Sequence, residues 1–178
     1  MQTSKSSHSR LIFLAQAAVI AALYAGLTLA LPLYGNAQFR IAEALTLLPA
    51  LTPAAIPGLA AGCLLANLGS PFGLIDIIFG TLASLLAALC TYWLRKVQIL
   101  RLPLLSALMP ALFNGLIIGA VIALMVTDTL DFSAFTLTNM LVFGGQVALS
   151  ELVICYVLGL PLVVLLRKTH IFKKTWRP

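Results

Sequence analysis

Long apolar runs constrain this sequence more than any other feature. The clearest cover residues 11–31, 72–94, 102–126 and 137–166, and they contain almost no charged side chains. Crossing the hydrocarbon core of a bilayer takes about 20 apolar residues per helix. Because 61% of the 178 residues are hydrophobic and only 9% are charged, a water-soluble core cannot hold so much apolar surface. The sequence predicts an all-α integral membrane protein, with residues 1–178 forming a single membrane domain.

The stretch FRIAEALTLLPALTPAAIPG opens a further apolar run, residues 41–68, which is long for one helix and short for two. Pro53 lies near its middle, and proline cannot continue a helix because it lacks the backbone donor and clashes with the preceding turn. Pro57 suits the first turn of a new helix. We therefore predict a short helix over 41–51, a reversal near Thr52, and a second short helix over 55–68, packed together inside the bundle.

The basic residues support this reversal. Lys5 and Arg10 precede the first run, Arg95, Lys96 and Arg101 follow the fourth segment, and a basic tail ends the chain. Basic residues favour the cytoplasmic side of a membrane, and only an even number of crossings places all three groups there. We predict a multi-pass plasma-membrane protein with six helices, at about 11–31, 41–51, 55–68, 72–94, 102–126 and 137–166, and with both termini cytoplasmic.

The net charge of +6 does not indicate nucleic acid, because the basic residues flank apolar runs. Cys63, Cys90 and Cys155 lie singly inside apolar runs, which is typical of small buried hydrophobic side chains. The sequence has no phosphate-binding loop, zinc-protease motif or serine-hydrolase motif. We predict no metal, no cofactor and no enzyme activity. Because the phosphate-binding loop is missing, any energy from ATP would have to come from other chains.

Small residues recur at helical spacing on two rows of the first run. One row contains Ala17, Ala21 and Ala25, and the other contains Ala18, Ala22 and Gly26. Small side chains allow helix backbones to approach closely in a membrane. Internal packing explains one row, but two rows are broader than one neighbouring helix requires. The second row therefore predicts a surface for a separate membrane partner.

Ionisable groups inside membrane spans are costly and usually mark a functional site or a buried polar network. Here they are Glu43, Asp76 and Glu151. Together with amides and aromatic rings they indicate a polar cavity that opens outward and suits a flat, hydrogen-bonding small molecule. The predicted substrate-binding residues are Glu43, Asn67, Asp76, Asn114, Phe143, Gln146 and Glu151, supported by Arg40, Tyr24 and Phe79.

Structural explanations remain open for several of these residues. Glu43 and Asp76 lie in predicted first turns, where carboxylates favour the helix dipole, and Arg40 can pair with Glu43. Asn114 and Gln146 can serve as hydrogen-bonding contacts between helices. Glu151 is harder to explain in this way, because a carboxylate near mid-membrane needs a partner, water or a proton.

The runs FRIAEALTLLPALTPAAIPGLAAGCLLANL and GLIDIIFGTLASLLAALCTYWLRK resemble the QueT family of queuosine-precursor transporters. These are substrate-binding S-components of energy-coupling factor (ECF) transporters. The resemblance covers roughly residues 10 to 166 and is most specific over residues 39–96. Only the termini lie outside it.

This resemblance implies a six-helix S-component that binds a 7-deazaguanine such as preQ1, preQ0 or queuine from outside. It also implies a membrane-embedded coupling subunit and two cytoplasmic ATPases as partners. The segment AAVIAALYAG, residues 17–26, matches the alanine-rich helix that docks on the coupling subunit in such families.

Other functions remain open at this point. They are an S-component for another heteroaromatic vitamin, a stand-alone small-molecule transporter, an intramembrane enzyme that uses Glu151 or Asp76, and a purely structural scaffold. We also expect the loops at residues 32–39 and 127–136 to cover the site.

Overall fold

A computed structural model describes residues 2–31, 40–70, 73–125 and 135–169, with side chains from residue 8 onward. The regular secondary structure of this described part is helical, apart from one isolated backbone pairing between Ile99 and Leu102. The helices are α1 (Gln2–Ala30), a 3-10 helix (Ile41–Ala50), α2 (Ala55–Asn67), α3 (Gly73–Trp93) with a short 3-10 turn after it (Leu94–Lys96), α4 (Leu108–Leu124), α5 (Leu137–Ile154) and α6 (Leu160–Thr169). A π turn, Cys155–Gly159, joins α5 to α6. The predicted loops over the site lie largely outside the described residues.

The helix lengths fit a membrane bundle. Three helical stretches are long and apolar enough to cross a bilayer: His8–Ala30, Gly73–Lys96 and Leu137–Thr169. Three shorter apolar helices accompany them: Ile41–Ala50, Ala55–Asn67 and Leu108–Leu124. The predicted all-helical class and the count of six helical segments are confirmed, and the protein is a multi-pass membrane protein.

The 3-10 helix lies in the centre of the bundle. Residues 42–50 are buried, and the helix packs against α1, α3 and the π turn. An uninterrupted 3-10 helix of this length is unusual. It is apolar on every side except at Glu43 and Thr46, as expected for a segment surrounded by protein. The chain reverses after it at Thr52, whose hydroxyl accepts a hydrogen bond from the Ala54 amide at 3.3 Å.

The sequence predicts a helix that starts at residue 102, but the corresponding helix of the structure, α4, begins later. Pro103 holds Leu102 away from helical geometry, and Ile99 and Leu102 exchange two backbone hydrogen bonds of 3.0 Å. Thr91 of α3 and Ser106 also exchange side-chain to backbone hydrogen bonds, at 3.3 and 3.4 Å. These contacts hold the connecting segment against α3, and α4 starts at Leu108.

The π turn explains how the last helix accommodates Pro161. Proline cannot donate a backbone hydrogen bond, so the preceding turn loses its regular partner. The chain widens into the π turn over Cys155–Gly159, immediately before this position. Gly159 lets the turn pack closely against the 3-10 helix, because a Cβ atom would lie 2.7 Å from a methyl group of Leu47 and 3.2 Å from the Ala44 carbonyl oxygen.

Glycines permit close contact between α1 and α2. A Cβ atom on Gly58 would lie 2.8 Å from the carbonyl oxygen of Ala17, and one on Gly62 would lie 2.9 Å from that of Ala21. Real Cβ atoms do not approach backbone so closely. The inner row of α1, Ala17, Ala21 and Ala25, therefore packs against the small residues of α2.

We expect Gly62→Ala to destabilise the protein by about 1–3 kcal/mol, because the added methyl group forces α1 and α2 apart. Gly26→Ala is the matched control, since nothing lies within 4 Å of its Cβ position. That control should be neutral or slightly stabilising, because alanine is the better helix former. Thermal unfolding of the two purified variants in detergent measures the difference. Equal midpoints would contradict the close contact.

Candidate functional site

Two glutamates from distant parts of the chain line one small buried cavity. Glu43 lies on the 3-10 helix and Glu151 on α5. The cavity volume is about 10 Å³, which is room for about one water molecule. The remaining lining residues are Arg40, Cys63, Gly80, Ser84, Asn114, Ile118 and Val147. The helices are closed around this centre, and they must separate to admit a larger molecule.

Glu43 is held by one hydrogen bond and keeps one oxygen unused. It is 2% exposed, and its Oε1 atom accepts a hydrogen bond from the Tyr24 hydroxyl of α1. Its Oε2 atom has no hydrogen-bond partner among the described residues. A buried carboxylate oxygen without a partner loses solvation that nothing replaces. This oxygen is available to a hydrogen-bond donor that enters the cavity.

Glu151 repeats the same arrangement from the other side of the bundle. It is 4% exposed, and its Oε1 atom accepts a hydrogen bond of 2.8 Å from the Asn114 amide of α4. Its Oε2 atom is buried and lacks a hydrogen-bond partner within the described part of the chain. Asn114 therefore connects α4 to α5 and also orients the carboxylate. The cavity presents two unpartnered carboxylate oxygens from two different helices.

Arg40 forms its ion pair with Asp76. The sequence had suggested Glu43 as its partner instead. The guanidinium Nη2 lies 3.6 Å from Oδ2 of Asp76, and Nη1 donates to Oδ1 of Asn67 at 3.1 Å. Asn67 also donates to the Asp76 carbonyl oxygen at 3.1 Å, and the Ser70 hydroxyl donates to Asp76 Oδ2 at 2.6 Å. Asp76 and Asn67 thus position Arg40, which lines the cavity while they do not.

Six of the ten predicted residues do not line the cavity. Tyr24, Asn67 and Asp76 contact residues that line it, whereas Phe79, Phe143 and Gln146 lie elsewhere on their helices. Gln146 is exposed, and Phe79 is 42% exposed on the outer surface of α3. Phe143 is partly buried against an apolar cluster that includes Ile118 and Val147. The buried face of α5 contains Gly144, Val147, Ser150 and Glu151, and Gln146 lies away from it. The direction of this face follows from the contact of Gly144 with Gly115 and Gly119 of α4, where no side chain fits.

Sequence reasoning missed Cys63, Gly80 and Ser84. The Ser84 hydroxyl donates to the Cys63 sulfur at 3.2 Å, and a Cβ atom on Gly80 would lie 2.5 Å from the Asn67 amide nitrogen. Asp76, Gly80 and Ser84 recur every four residues, which places them on one face of α3. That spacing was the available signal. Cys63 is buried as predicted, but it is part of the polar cavity and not only of the apolar core.

The model of the family described as QueT transporter matches residues 14–168. The chain belongs to the QueT transporter family. No curated protein and no solved structure matches the chain significantly. The resemblance that the sequence suggested is confirmed over most of the chain. Membership of the QueT family makes the protein a transporter, which is the class that the sequence favoured over an intramembrane enzyme.

Two larger grooves in the described part of the chain contain no carboxylate. The first, of about 510 Å³, lies between α4 and α5, and its lining residues carry no polar side chain. It includes Gly115, Gly144 and Ala148. The polar cavity between Glu43 and Glu151 is therefore the candidate substrate site.

The two small-residue rows of α1 have different environments in this QueT-family chain. Ala21 and Ala25 are buried against the bundle, whereas Ala18, Ala22 and Gly26 are exposed. Nothing lies within 4 Å of the Cβ position of Gly26. The second row is thus available to another membrane helix, as a docking surface requires.

Proposed function

We propose that this chain is the substrate-binding subunit of an ECF importer that takes up a queuosine precursor. The substrate is a 7-deazaguanine such as preQ1, preQ0 or queuine, and it binds between Glu43 and Glu151. The observation that carries this proposal is the pair of unpartnered carboxylate oxygens at one buried cavity. The QueT family match supplies the class of substrate.

The chemistry of the cavity suits this substrate class. A guanine-like ring presents a ring N–H and an amino group side by side, and a carboxylate accepts both. The ammonium group of preQ1 requires a second acceptor. Glu43 and Glu151 supply two carboxylates, and the guanidinium of Arg40 carries donors suited to a ring carbonyl oxygen. Binding then replaces the solvation that both carboxylates lack in the closed structure.

The coupling partners in this proposal are those that the resemblance to ECF S-components implies. They are two ATPase subunits and a membrane-embedded coupling subunit, which would supply the energy of ATP because this sequence has no phosphate-binding loop. The exposed row Ala18, Ala22 and Gly26 is the docking surface in this proposal. We place both termini in the cytoplasm of a plasma-membrane protein. Arg167 donates to the Arg101 carbonyl oxygen at 2.8 Å, which places two of the basic segments at one end of the bundle.

Titration of the purified chain tests the substrate class and separates a queuosine precursor from another heteroaromatic vitamin. We expect at least one of preQ1, preQ0 and queuine to bind with Kd at or below about 1 μM, corresponding to about −8 kcal/mol. Riboflavin and thiamine serve as controls and should not bind in that range. Binding of a control alone would indicate an S-component for another heteroaromatic vitamin. Failure of all three deazaguanines would contradict the proposal.

A further inference from the structure

A second groove lies beside the C-terminal part of the helical stretch Leu137–Thr169. The apolar groove between α4 and α5 lies beside the N-terminal part of the same stretch. The second groove has a volume of about 460 Å³, and the residues lining it include Leu102, Tyr156, Leu160, Pro161, Val164 and Lys168. The Tyr156 hydroxyl is already used, because it donates to the Leu104 carbonyl oxygen at 2.9 Å. The interior of the groove is therefore apolar, with one ammonium group at its rim.

The backbone on both sides of the groove is irregular. On one side the π turn and Pro161 interrupt the regular packing of the terminal helix. On the other side the segment before α4 turns through Leu100 and Arg101, which have φ angles of 54° and 64°. Residues other than glycine rarely adopt positive φ angles of this kind. The turn places the Arg101 side chain on the exposed surface, next to the groove residue Leu102.

The positive charges near the groove are not compensated locally. Lys168 and Arg101 are exposed, and neither has a carboxylate partner among the described residues. Arg167 donates to the Arg101 carbonyl oxygen at 2.8 Å, so the two basic segments are in contact. The closest described carboxylate along the same helix is Glu151, roughly 25 Å away at about 1.5 Å per residue. Among the described residues, the charged side chains at the groove are basic, because Lys168 lines it and Arg101 adjoins the lining residue Leu102.

We propose that this groove binds one anionic phospholipid. In this proposal an acyl chain lies along Leu160, Pro161 and Val164, and the phosphate group contacts Lys168, which lines the groove, and Arg101 on the adjoining exposed turn. Basic pockets beside transmembrane helices recognise lipid headgroups in this way, by pairing an apolar slot with cationic side chains. A zwitterionic lipid fills the slot without a net negative charge, and a soluble phosphate lacks the acyl chain. The site is separate from the cavity at Glu43 and Glu151, and the proposal does not depend on the identity of the transported substrate.

Lipid binding to the full-length purified protein in detergent tests this proposal. The probes are fluorescent phosphatidylglycerol and phosphatidylcholine with identical acyl chains, and the readout is the Kd of each. We expect phosphatidylglycerol to bind at least about fivefold more tightly, and Lys168→Gln to remove about a fivefold factor, the effect of one cationic side chain near a headgroup. Lys96→Gln is the matched control, because Lys96 is exposed and does not line the groove. It should leave both Kd values unchanged.

Two further measurements make the test decisive. Val164→Phe fills the slot and should weaken the binding of both lipids, with thermal unfolding of the variant confirming that it is folded. Glycerol 3-phosphate should fail to displace phosphatidylglycerol at equal concentration, because it has no acyl chain. The proposal is overturned if glycerol 3-phosphate competes equally, if Lys96→Gln weakens binding as much as Lys168→Gln, or if folded Val164→Phe binds both lipids normally.

Discussion

Replacing Ala22 with tryptophan is expected to abolish ATP-driven uptake while leaving substrate binding to the isolated chain unchanged. Ala22 lies in the exposed row of α1, between Ala18 and Gly26, and points away from the bundle. A bulky ring prevents the close backbone approach that small residues allow between membrane helices. The cavity at Glu43 and Glu151 lies inside the bundle, so the change should not reach it. Uptake into proteoliposomes containing the coupling subunit and ATPases measures the first effect, and ligand titration measures the second.

Leu23→Trp provides the matched control for this experiment. Leu23 is exposed on the same helix, but it is a large side chain next to the small-residue row. Its replacement should leave both uptake and binding near the level of the unmodified protein. Normal uptake by Ala22→Trp would remove the row from the docking surface. Loss of folding together with binding would instead show that Ala22 is needed inside the bundle.

Glu43→Gln is expected to weaken substrate binding by about 1.5–3 kcal/mol, the range for a hydrogen bond to a charged group. That range corresponds to an increase of about 10- to 150-fold in Kd. Glutamine keeps the size of the side chain and an oxygen that accepts from Tyr24, so the thermal stability of the ligand-free protein should fall little or even rise. Isothermal titration and thermal unfolding of the same preparation measure the two quantities. The converse pattern, lower stability with unchanged affinity, would make Glu43 a structural residue only.

Gln146→Leu is the matched comparison for the Glu43 experiment. The sequence predicted Gln146 as a substrate contact, but the structure places it on the exposed side of α5. Its replacement should leave Kd unchanged within about twofold, or 0.4 kcal/mol. A large loss of affinity in this variant would show that the substrate occupies a different place from the cavity at Glu43 and Glu151.

The class of the protein, the approximate positions of its six helical segments and its resemblance to the QueT family could be predicted from the amino-acid sequence. These properties follow from local features. Apolar runs of membrane length favour helices, because lipid offers no hydrogen-bond partner to an irregular backbone. Pro53 forces the reversal between the 3-10 helix and α2 because its ring removes the backbone donor and clashes with the preceding turn. The scarcity of acids in apolar runs was enough to identify Glu43, Asp76 and Glu151 as unusual.

Which of these residues share a cavity could not be predicted from the sequence, because it depends on how the helices pack against one another. Arg40 forms an ion pair with Asp76, and Glu43 accepts a hydrogen bond from Tyr24. Both contacts join segments that are far apart in the sequence. The rotation of α5 depends on contact with glycines of α4, which turns Glu151 inward and Gln146 outward. Helical periodicity gives the relative directions of side chains along one helix, but the direction of the bundle interior is set by packing between helices.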